Sequence, residues 1–367
     1  MTPAIWTASY VYTDRPHAGY ALLVSGGRVE AAAPLAELSA RHPSLPVENK
    51  GFYLGPAPAN AHTHLDLGLL PTFKGSFADF LEYVVSRAEL RGLTAARQAA
   101  AHLGQRAIGT IATGDENLVE WLLSEAELSG VVYWEVLGLL PPDAERELLE
   151  RTRRLVRRWK GLERPGGMRI GLSPHATYSL SPGLLRGLVE LAAGEGLPVQ
   201  IHAAESPAEA EYFKSGGGPI ASFFRSRGLP TDLHPRGLSP IEYLAENDVL
   251  KLRPVLVHGV QVNDSDVRLL AEAGTPLVSC PRSNVNLQCG LPPYELYRAR
   301  GVRLALGTDS HASAESLDVR DEIRFLSERG LDPVWLLTAA VAGGHQLLGL
   351  NPPRIGAGTP LRQVEFW

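Results

Sequence analysis

The feature that most constrains the fold is a regular alternation of short apolar segments with longer helical patterns between about Ala107 and Leu306. Such alternation is typical of βα units arranged around a parallel sheet. If the segment leading into His62 is included, the sequence predicts eight strands, at 53–61, 108–114, 131–137, 168–173, 199–203, 254–258, 277–280 and 303–307. Because eight such units are what a closed barrel needs, we expect an α/β fold, the (β/α)8 TIM barrel.

Helix starts and the chain termini define the expected domain organisation. The pairs Ser181-Pro182, Ser206-Pro207 and Asp332-Pro333 each place a capping side chain before a proline at the first helical position. Residues 1–52 look β-rich and irregular, and the segment from about residue 350 is rich in turn formers. We therefore expect a small β domain built from residues 1–52 and 350–367, with the barrel at 53–349.

Composition limits the kinds of partner. With a formal net charge of −5 and no basic tract, the chain is a poor candidate for binding nucleic acid or an anionic membrane. A small-molecule substrate is the expectation, and a homo-oligomer remains open.

Cysteine usage and the N-terminal sequence bear on the compartment. The two cysteines, Cys280 and Cys289, are too few for a disulfide framework and wrongly spaced for a Cys-x-x-Cys metal site. The N-terminal residues lack the basic and apolar blocks of a secretory signal, and no apolar run reaches spanning length. We expect a cytoplasmic protein.

Ligand-type side chains follow several of the predicted strands. His62 and His64 lie two residues apart, which places both imidazoles on one face of an extended strand. His202, His258 and Asp309 also come at strand ends. The carboxyl ends of barrel strands converge on one face. Any one of these residues alone would be an ordinary buried polar group, but together they predict a site for a divalent metal ion.

Six motifs along this stretch resemble one protein family. They are 60–65 (Asn-Ala-His-Thr-His-Leu), 173–179 (Ser-Pro-His-Ala-Thr-Tyr-Ser), 202–205 (His-Ala-Ala-Glu), 257–259 (Val-His-Gly), 283–287 (Ser-Asn-Val-Asn-Leu) and 307–310 (Gly-Thr-Asp-Ser). Their order and spacing are similar to those of the amidohydrolase superfamily. Within it they resemble the branch of cytosine, S-adenosylhomocysteine and methylthioadenosine deaminases and related chlorohydrolases.

The resemblance implies a role for the histidine and acidic residues of these motifs. The metal ligands would be His62, His64, His202 and Asp309, while Glu205 and His258 would act on proton and water. The fourth strand offers no lysine to bridge two ions, so one divalent metal is expected. Three imidazoles and a carboxylate suit zinc, iron or manganese, and zinc is the first choice.

The same residues predict a hydrolytic mechanism. A water on such an ion loses its proton near neutral pH, and Asp309 would accept that proton. His258 would orient the attacking oxygen, and Glu205 would protonate a ring nitrogen of the substrate. Ring protonation is what a heteroaromatic deaminase needs. Further candidates, for substrate binding, are His175, Glu135 and Arg282.

These expectations favour a mononuclear deaminase that releases ammonia from an aminopurine nucleoside. Within the branch, the short chain and the strand containing Trp134-Glu135-Val136 most resemble the aminodeoxyfutalosine deaminases of menaquinone biosynthesis. Two alternatives stay open: an S-adenosylhomocysteine or methylthioadenosine deaminase, and a chlorohydrolase or cyclic amide hydrolase of the same superfamily.

Overall fold

The computed structural model describes residues 2–103 and 106–367. Within these residues the strands are β1 Ala4–Thr7, β2 Tyr10–Tyr12, β3 Pro16–His17, β4 Tyr20–Ser25, β5 Arg28–Pro34, β6 Val47–Asn49, β7 Tyr53–Gly55, β8 Asn60–His64, β9 Ala107–Thr113, β10 Ser129–Val136, β11 Met168–Pro174, β12 Gln200–Ala203, β13 Val255–His258, β14 Leu277–Ser279, β15 Leu304–Leu306, β16 Asp309–Ser310 and β17 Glu365–Phe366.

The helices mostly lie between consecutive strands. They are α1 Leu35–Arg41, α2 Phe77–Val85, α3 Leu93–Ala101, α4 Glu116–Ser124, α5 Pro142–Lys160, α6 Pro182–Glu195, α7 Pro207–Ser215, α8 Gly218–Ser226, α9 Pro240–Glu246, α10 Asp264–Ala273, α11 Pro281–Asn286, α12 Tyr294–Ala299, α13 Val319–Ser327, α14 Pro333–Thr338 and α15 Gly344–Leu347. The short 3-10 helices are Leu65–Leu67, Ala88–Leu90, Val249–Leu252 and Leu361–Gln363, and a π-helical turn spans Ala339–Gly343.

The three predicted helix starts are confirmed. The side chains of Ser181, Ser206 and Asp332 each accept a hydrogen bond from a backbone N–H two or three residues further on, and each precedes a proline at the start of its helix. These caps satisfy N–H groups that have no partner inside the helix. They set where α6, α7 and α14 begin.

The central strands form two adjoining parallel sheets, in the orders β11-β10-β9-β8-β16 and β12-β13-β14-β15. Single bridges, Leu172 to Val199 and Ala176 to His202, connect β11 with the segment of β12. On the other side β15 leads within two residues into β16, which pairs with β8. The strands therefore follow the predicted order, but a continuous closed ladder is not formed in the described residues. Pro174 and Pro198, at the interrupted seam, have no N–H to contribute.

The first predicted strand, 53–61, is wrong as a single element. The structure divides it into β7 and β8, because the intervening Pro56 and Pro58 cannot donate to a sheet ladder. Whereas β8 joins the central sheet, β7 pairs with β2 and β17 in a sheet of order β17-β7-β2-β3. A strand placed in the barrel by the sequence thus pairs with both chain termini.

The remaining terminal strands form a sheet of order β5-β4-β1-β6. A buried apolar cluster joins these terminal segments, with members from the first 54 residues together with Ile355 and Val364. Residues from both ends of the chain therefore share a core, while the proposed boundary of a separate small domain stays a prediction. Cys280 and Cys289 are both free and buried. In the part of the chain that is described, no helix has the length and apolar character needed to cross a bilayer.

Candidate metal centre and active-site cavity

Four side chains from the ends of β8, β12 and the β16 segment converge on one point. Nε2 of His62 lies 3.3 Å from Nε2 of His202 and 3.6 Å from Oδ1 of Asp309. Nε2 of His64 lies 3.5 Å from the same Oδ1 atom. The predicted convergence of these distant residues is therefore present in the structure.

These separations fit a single divalent ion. Ligands held ~2.1 Å from a tetrahedral ion stand about 3.4 Å from one another, which is close to the three distances observed. The ligand atoms of His62, His64 and Asp309 all lie within 4.8 Å of one another, and so do those of His62, His202 and His258. Imidazole nitrogens with one carboxylate oxygen form a donor set typical of zinc, iron or manganese. His258 also lies at the edge of this cluster.

Three of the imidazoles are oriented by oxygen atoms that can only accept a hydrogen bond. Each ring must therefore carry its proton on Nδ1, and this leaves the Nε2 lone pair free for the centre of the cluster. The partners are Oε1 of Gln200 for His62 (2.7 Å), the backbone oxygen of His175 for His202 (2.8 Å) and Oδ1 of Asn284 for His258 (2.8 Å).

Gln200 is a positioning residue that the sequence interpretation missed. Its Nε2 donates to the backbone oxygen of Ala61 over 3.1 Å, and this bond fixes which end of the amide faces His62. Gln200 and His202 lie two residues apart on β12 and share a face. That spacing is the signal that would have identified a polar group beside a ligand.

Asp309 is held as a carboxylate with its two oxygens in different environments. Oδ2 accepts hydrogen bonds from Ser283 at 2.6 Å and Ser313 at 2.7 Å, while Oδ1 faces the imidazoles. Burial alone would raise the pKa of Asp309, but the imidazoles of His62 and His64 beside its Oδ1 atom keep that pKa well below its usual range. The side chain of Asp309 is therefore anionic.

Three of the imidazoles, those of His64, His202 and His258, have lowered pKa values and are neutral at physiological pH. Burial, reinforced by His62, lowers the pKa of His64 to about 4. Burial lowers the pKa of His258 to about 4 and that of His202 well below its usual value. Neutral imidazole is the form that binds metal.

Three residues at the strand ends have left-handed backbone conformations. They are Ala204 (φ 52°), His258 (φ 74°) and Asp309 (φ 60°). Side chains disfavour this region, so each position adds strain of about 1–3 kcal/mol. The left-handed conformation turns the chain sharply at each of these positions.

Glu205 lies just beyond β12, beside the cluster. Its Oε1 is 3.5 Å from Nε2 of His258, and the residue is only 6% exposed. Burial, together with the charges of Asp309 and Glu209, raises the pKa of Glu205 well above its usual value. A buried carboxyl in this state carries a proton that it can give to a bound molecule.

The cluster of converging histidine and aspartate side chains opens into a cavity of about 200 Å³. Its lining includes His64, His202, Glu205, His258 and Asp309, together with two of the three predicted substrate contacts, His175 and Glu135. The other wall is apolar and comes largely from α2, a contribution that the sequence interpretation missed. The signal was present, since Phe77, Phe80, Leu81, Val84 and Val85 recur at helical spacing.

The three predicted substrate contacts have different surroundings. Oε2 of Glu135 accepts a hydrogen bond from the hydroxyl of Thr113. Oε1 is buried without a hydrogen-bond partner among the described residues, and Nδ1 of His202 lies 3.8 Å from it. Nδ1 of His175 lies 2.6 Å from the hydroxyl of Ser179. Arg282, the third residue expected to contact substrate, does not line the cavity.

Arg282 instead belongs to a buried ion pair behind the site. Its Nε donates to Glu322 over 2.8 Å, and its Nη2 donates to the backbone oxygen of Ser316 over 2.7 Å. Glu322 is fully buried. The sequence interpretation offered Arg282 for substrate binding, but in the structure the buried carboxylate of Glu322 pairs with its guanidinium.

Comparison with known proteins agrees with this site. The chain belongs to the amidohydrolase family, whose profile matches residues 53–358. A relative from Deinococcus radiodurans named aminodeoxyfutalosine deaminase is 40% identical over 359 residues, covering 94% of this chain and 85% of the relative. A 5-methylthioadenosine/S-adenosylhomocysteine deaminase from Syntrophobacter fumaroxidans is 30% identical over an alignment that covers 92% of this chain and 76% of the relative.

A solved structure also shares the fold. Helicobacter pylori aminofutalosine deaminase in complex with methylthio-coformycin superimposes with a TM-score of 0.75 at 23% identity, covering 97% of this chain and 90% of that one. Family membership and this likeness assign the chain a TIM barrel fold of mixed α/β content. The family and the deaminase relatives further identify a hydrolytic enzyme that acts on C–N bonds.

Proposed function

We propose that this protein is a mononuclear metal-dependent deaminase that releases ammonia from an aminopurine nucleoside, with aminodeoxyfutalosine as the first substrate to test. One observation carries the proposal. Glu205, whose pKa burial raises well above its usual value, lies in one cavity wall together with the imidazoles of His64, His202 and His258 and the carboxylate of Asp309. The name and 40% identity of the Deinococcus radiodurans relative support the choice of substrate.

A single ion would be held by His62, His64, His202 and Asp309. Zinc is the first choice, with iron and manganese also compatible with these donors. When bound, the ion lowers the pKa of a water molecule toward neutrality and so supplies a nucleophile. The proposed setting is the cytoplasm, with a small molecule as the partner.

The side chains around this centre divide the proton transfers between them. Asp309 accepts a proton from the attacking water through its Oδ1 atom, because Oδ2 is engaged by two serine hydroxyls. Neutral His258 accepts a hydrogen bond at Nε2, since its Nδ1 proton is held by Asn284. This contact orients the water toward the ring.

Glu205 performs the step that distinguishes a deaminase. It gives its proton to a ring nitrogen next to the amine-bearing carbon, and that carbon becomes a better electrophile. Water adds to the carbon with formation of a C–O bond, and one water proton passes through Asp309 to the amine, so that the C–N bond breaks and ammonia leaves. The ring nitrogen keeps the proton from Glu205, and the second water proton restores the acid form of Glu205. An amide substrate needs such ring protonation less.

Two further side chains are proposed substrate contacts. Oε1 of Glu135 is a buried acceptor without a hydrogen-bond partner among the described residues, and it suits a sugar hydroxyl of the nucleoside. His175 lines the cavity, and its Nδ1 atom is engaged by the hydroxyl of Ser179. Its Nε2 atom is the one proposed to contact the substrate. Arg282 has no part in this proposal.

The test is ammonia release by the metal-loaded enzyme. The panel contains aminodeoxyfutalosine, 5-methylthioadenosine, S-adenosylhomocysteine, 5′-deoxyadenosine, a chlorotriazine and a cyclic amide. We expect ammonia from at least one adenine nucleoside and neither chloride release nor ring opening from the last two compounds. If none of the nucleosides released ammonia, the proposal would be refuted.

A further inference from the structure

The carboxyl of Glu205 receives little support from the side chains around it. Its Oε1 atom lies 3.5 Å from Nε2 of His258, and the described residues donate no hydrogen bond to either carboxyl oxygen. A group that delivers a proton must nevertheless keep a fixed distance from the reacting atom. The place of this carboxyl therefore depends on the backbone at residue 205.

A second buried acid, Glu209, holds that backbone. Its Oε2 atom accepts the N–H of Glu205 over 2.7 Å, and its Oε1 atom accepts the hydroxyl of Thr177, from the loop that follows β11. Glu209 is only 1% exposed, and Thr177 is fully buried. Because a buried carboxyl is costly unless its oxygens are engaged, these two bonds offset the cost of placing Glu209 in the core.

Glu209 occupies a helix position that normally serves the helix itself. It is the third residue after Ser206, the N-cap of α7, where a Glu side chain usually accepts the N–H of the cap residue. In α9 that arrangement is present, since Glu242 accepts the N–H of Ser239 over 2.7 Å. In α7 the 2.7 Å bond instead comes from Glu205, one residue before the cap.

The other side of the same turn is tied to the segment after β13. The backbone oxygen of Ala204, whose φ is 52°, accepts the N–H groups of Val260 and Gln261, both over 2.7 Å. This segment follows His258, the residue that faces the carboxyl of Glu205. One side of the turn is thus anchored by backbone bonds, whereas the other side depends on a side chain.

The hydrogen-bond donors around Glu209 are neutral. Burial raises the pKa of Glu209, while the hydroxyl of Thr177 and the N–H groups of Glu205, Ala204 and Ser206 act against that rise. Among the described residues, therefore, Glu209 serves as a hydrogen-bond acceptor rather than as a counter-ion.

We propose that Glu209, supported by Thr177, is a positioning residue that fixes the proton-donating carboxyl of Glu205 relative to the bound nucleoside. The inference rests on the proposed function for the part that Glu205 takes in the reaction. Glu209 acts through the backbone N–H of Glu205 and touches no reacting atom. The loop of Thr177 also contains His175, whose backbone oxygen orients His202. One loop thereby positions both a proposed metal ligand and the proton donor.

The kinetics of ammonia release test this role. Glu209→Leu removes both acceptor oxygens at similar volume, so kcat should fall by about 10- to 100-fold, the usual cost of displacing a reacting group slightly. KM and metal content should stay within about threefold of the original values, because no contact to substrate or metal is altered.

Two milder variants accompany Glu209→Leu. Glu209→Gln retains an acceptor oxygen for the N–H of Glu205 and should keep kcat within about threefold of the original. Thr177→Val removes one of the two bonds to Glu209 and should give an intermediate fall in kcat. These two variants decide the question if Glu209→Leu does not fold.

The matched control is Glu242→Leu. Glu242 lies at the corresponding position of α9, completes an ordinary capping box there and does not line the active-site cavity. Its loss should lower Tm, because a cap stabilises its helix, and should leave kcat and KM unchanged. Comparison with Glu209→Leu separates the loss of a helix cap from the displacement of a proton donor.

A double substitution shows whether Glu209 acts only through Glu205. In protein that already carries Glu205→Gln the proton donor is absent, so adding Glu209→Leu should lower kcat no further. A general disturbance of the active site would instead add its own loss. Hydrogen exchange provides a readout without turnover. Mass spectrometry of peptides covering residues 203–208 should show faster exchange in Glu209→Leu but not in Glu209→Gln.

Four results would overturn the positioning role. They are an unchanged kcat in Glu209→Leu, a fall in kcat accompanied by an equal loss of metal, a Glu209→Gln variant as slow as Glu209→Leu, and a further fall in the double variant. If the original protein released no ammonia from any nucleoside, the proposed deaminase function would be refuted. The exchange rates alone would then decide whether Glu209 holds the turn.

Discussion

Nδ1 of His62 donates a 2.7 Å hydrogen bond to Oε1 of Gln200, a buried amide on the same face of β12 as His202. One strand therefore supplies a proposed metal ligand, His202, and also the group that orients the proposed ligand His62 from another strand. Because the amide oxygen fixes the tautomer of His62, Gln200 acts on metal binding without touching the metal.

We expect Gln200→Leu to weaken metal binding by about 10- to 100-fold, the usual effect of losing such an orienting partner. The substitution leaves Nδ1 of His62 buried without an acceptor and allows the other tautomer. Competitive titration against a chelator measures the change. Gln346→Leu, at an exposed position, is the matched control. Unchanged affinity in Gln200→Leu would contradict this role.

Replacement of Glu205 tests the proton donor. Glu205→Gln keeps the shape but removes the acidic proton, so kcat for ammonia release should fall by about 10²- to 10⁴-fold. Metal content, measured by elemental analysis, should stay the same, because Glu205 is not among the proposed ligands. Glu211→Gln, on the exposed face of α7, should leave both values unchanged. Substantial activity in Glu205→Gln would argue against ring protonation by this residue.

Removal of the metal should affect both activity and stability. Without an ion, the buried Asp309 carboxylate and the imidazole lone pairs 3.3–3.6 Å from one another lose their common partner. We expect dialysis against a chelator to abolish ammonia release and to lower Tm by several degrees, since an ion that binds only the folded state stabilises it. Adding back zinc, iron or manganese separately should restore both readouts and rank the metals. Full activity in protein shown to be metal-free would exclude the proposed centre.

His234 should make folding sensitive to acid, independently of the metal. Its Nε2 proton is donated to the backbone oxygen of Leu180 at 2.8 Å, and its Nδ1 lies 3.1 Å from the hydroxyl of Tyr212. Burial lowers the pKa of His234. The unfolded chain takes up a proton near pH 6.5, whereas the folded chain does not, so the stabilisation is present above that pH and is lost as pH falls below it.

The measurement is the free energy of unfolding from urea titrations between pH 7.5 and 5. In this range His234 should contribute a slope of up to about 1.4 kcal/mol per pH unit. His234→Gln should lower the slope by that contribution, whereas His102→Gln, at an exposed position, should not. Identical slopes for the original protein and His234→Gln would show that folding does not lower the pKa of His234.

The central strands and the convergence of the ligand-type side chains could be predicted because both follow local rules. Apolar runs with turn signals indicated the central strands, and His62 and His202 were recognisable because ligand-type residues recur at strand ends. The division of 53–61 was less visible, although Pro56 and Pro58 lie at the break. Side-chain periodicity does not report which sheet a short strand will join.

The groups that act through a partner were not predicted. Asn284 was noticed only as part of a motif, and nothing in the sequence indicated that its Oδ1 meets His258. Arg282 was expected to contact substrate, but it donates to Glu322, which lies 40 residues away in the chain and could not be recognised as its partner. Such pairings depend on the tertiary arrangement of loops, so a single sequence cannot reveal them.

The left-handed backbone at Ala204, His258 and Asp309 limits how far this enzyme can be made more thermostable. Glycine would relieve the strain at all three positions, but at 258 and 309 it would also remove a functional side chain. Directed evolution for heat resistance therefore has one of these sites available, Ala204→Gly, and must find its other gains outside the active centre.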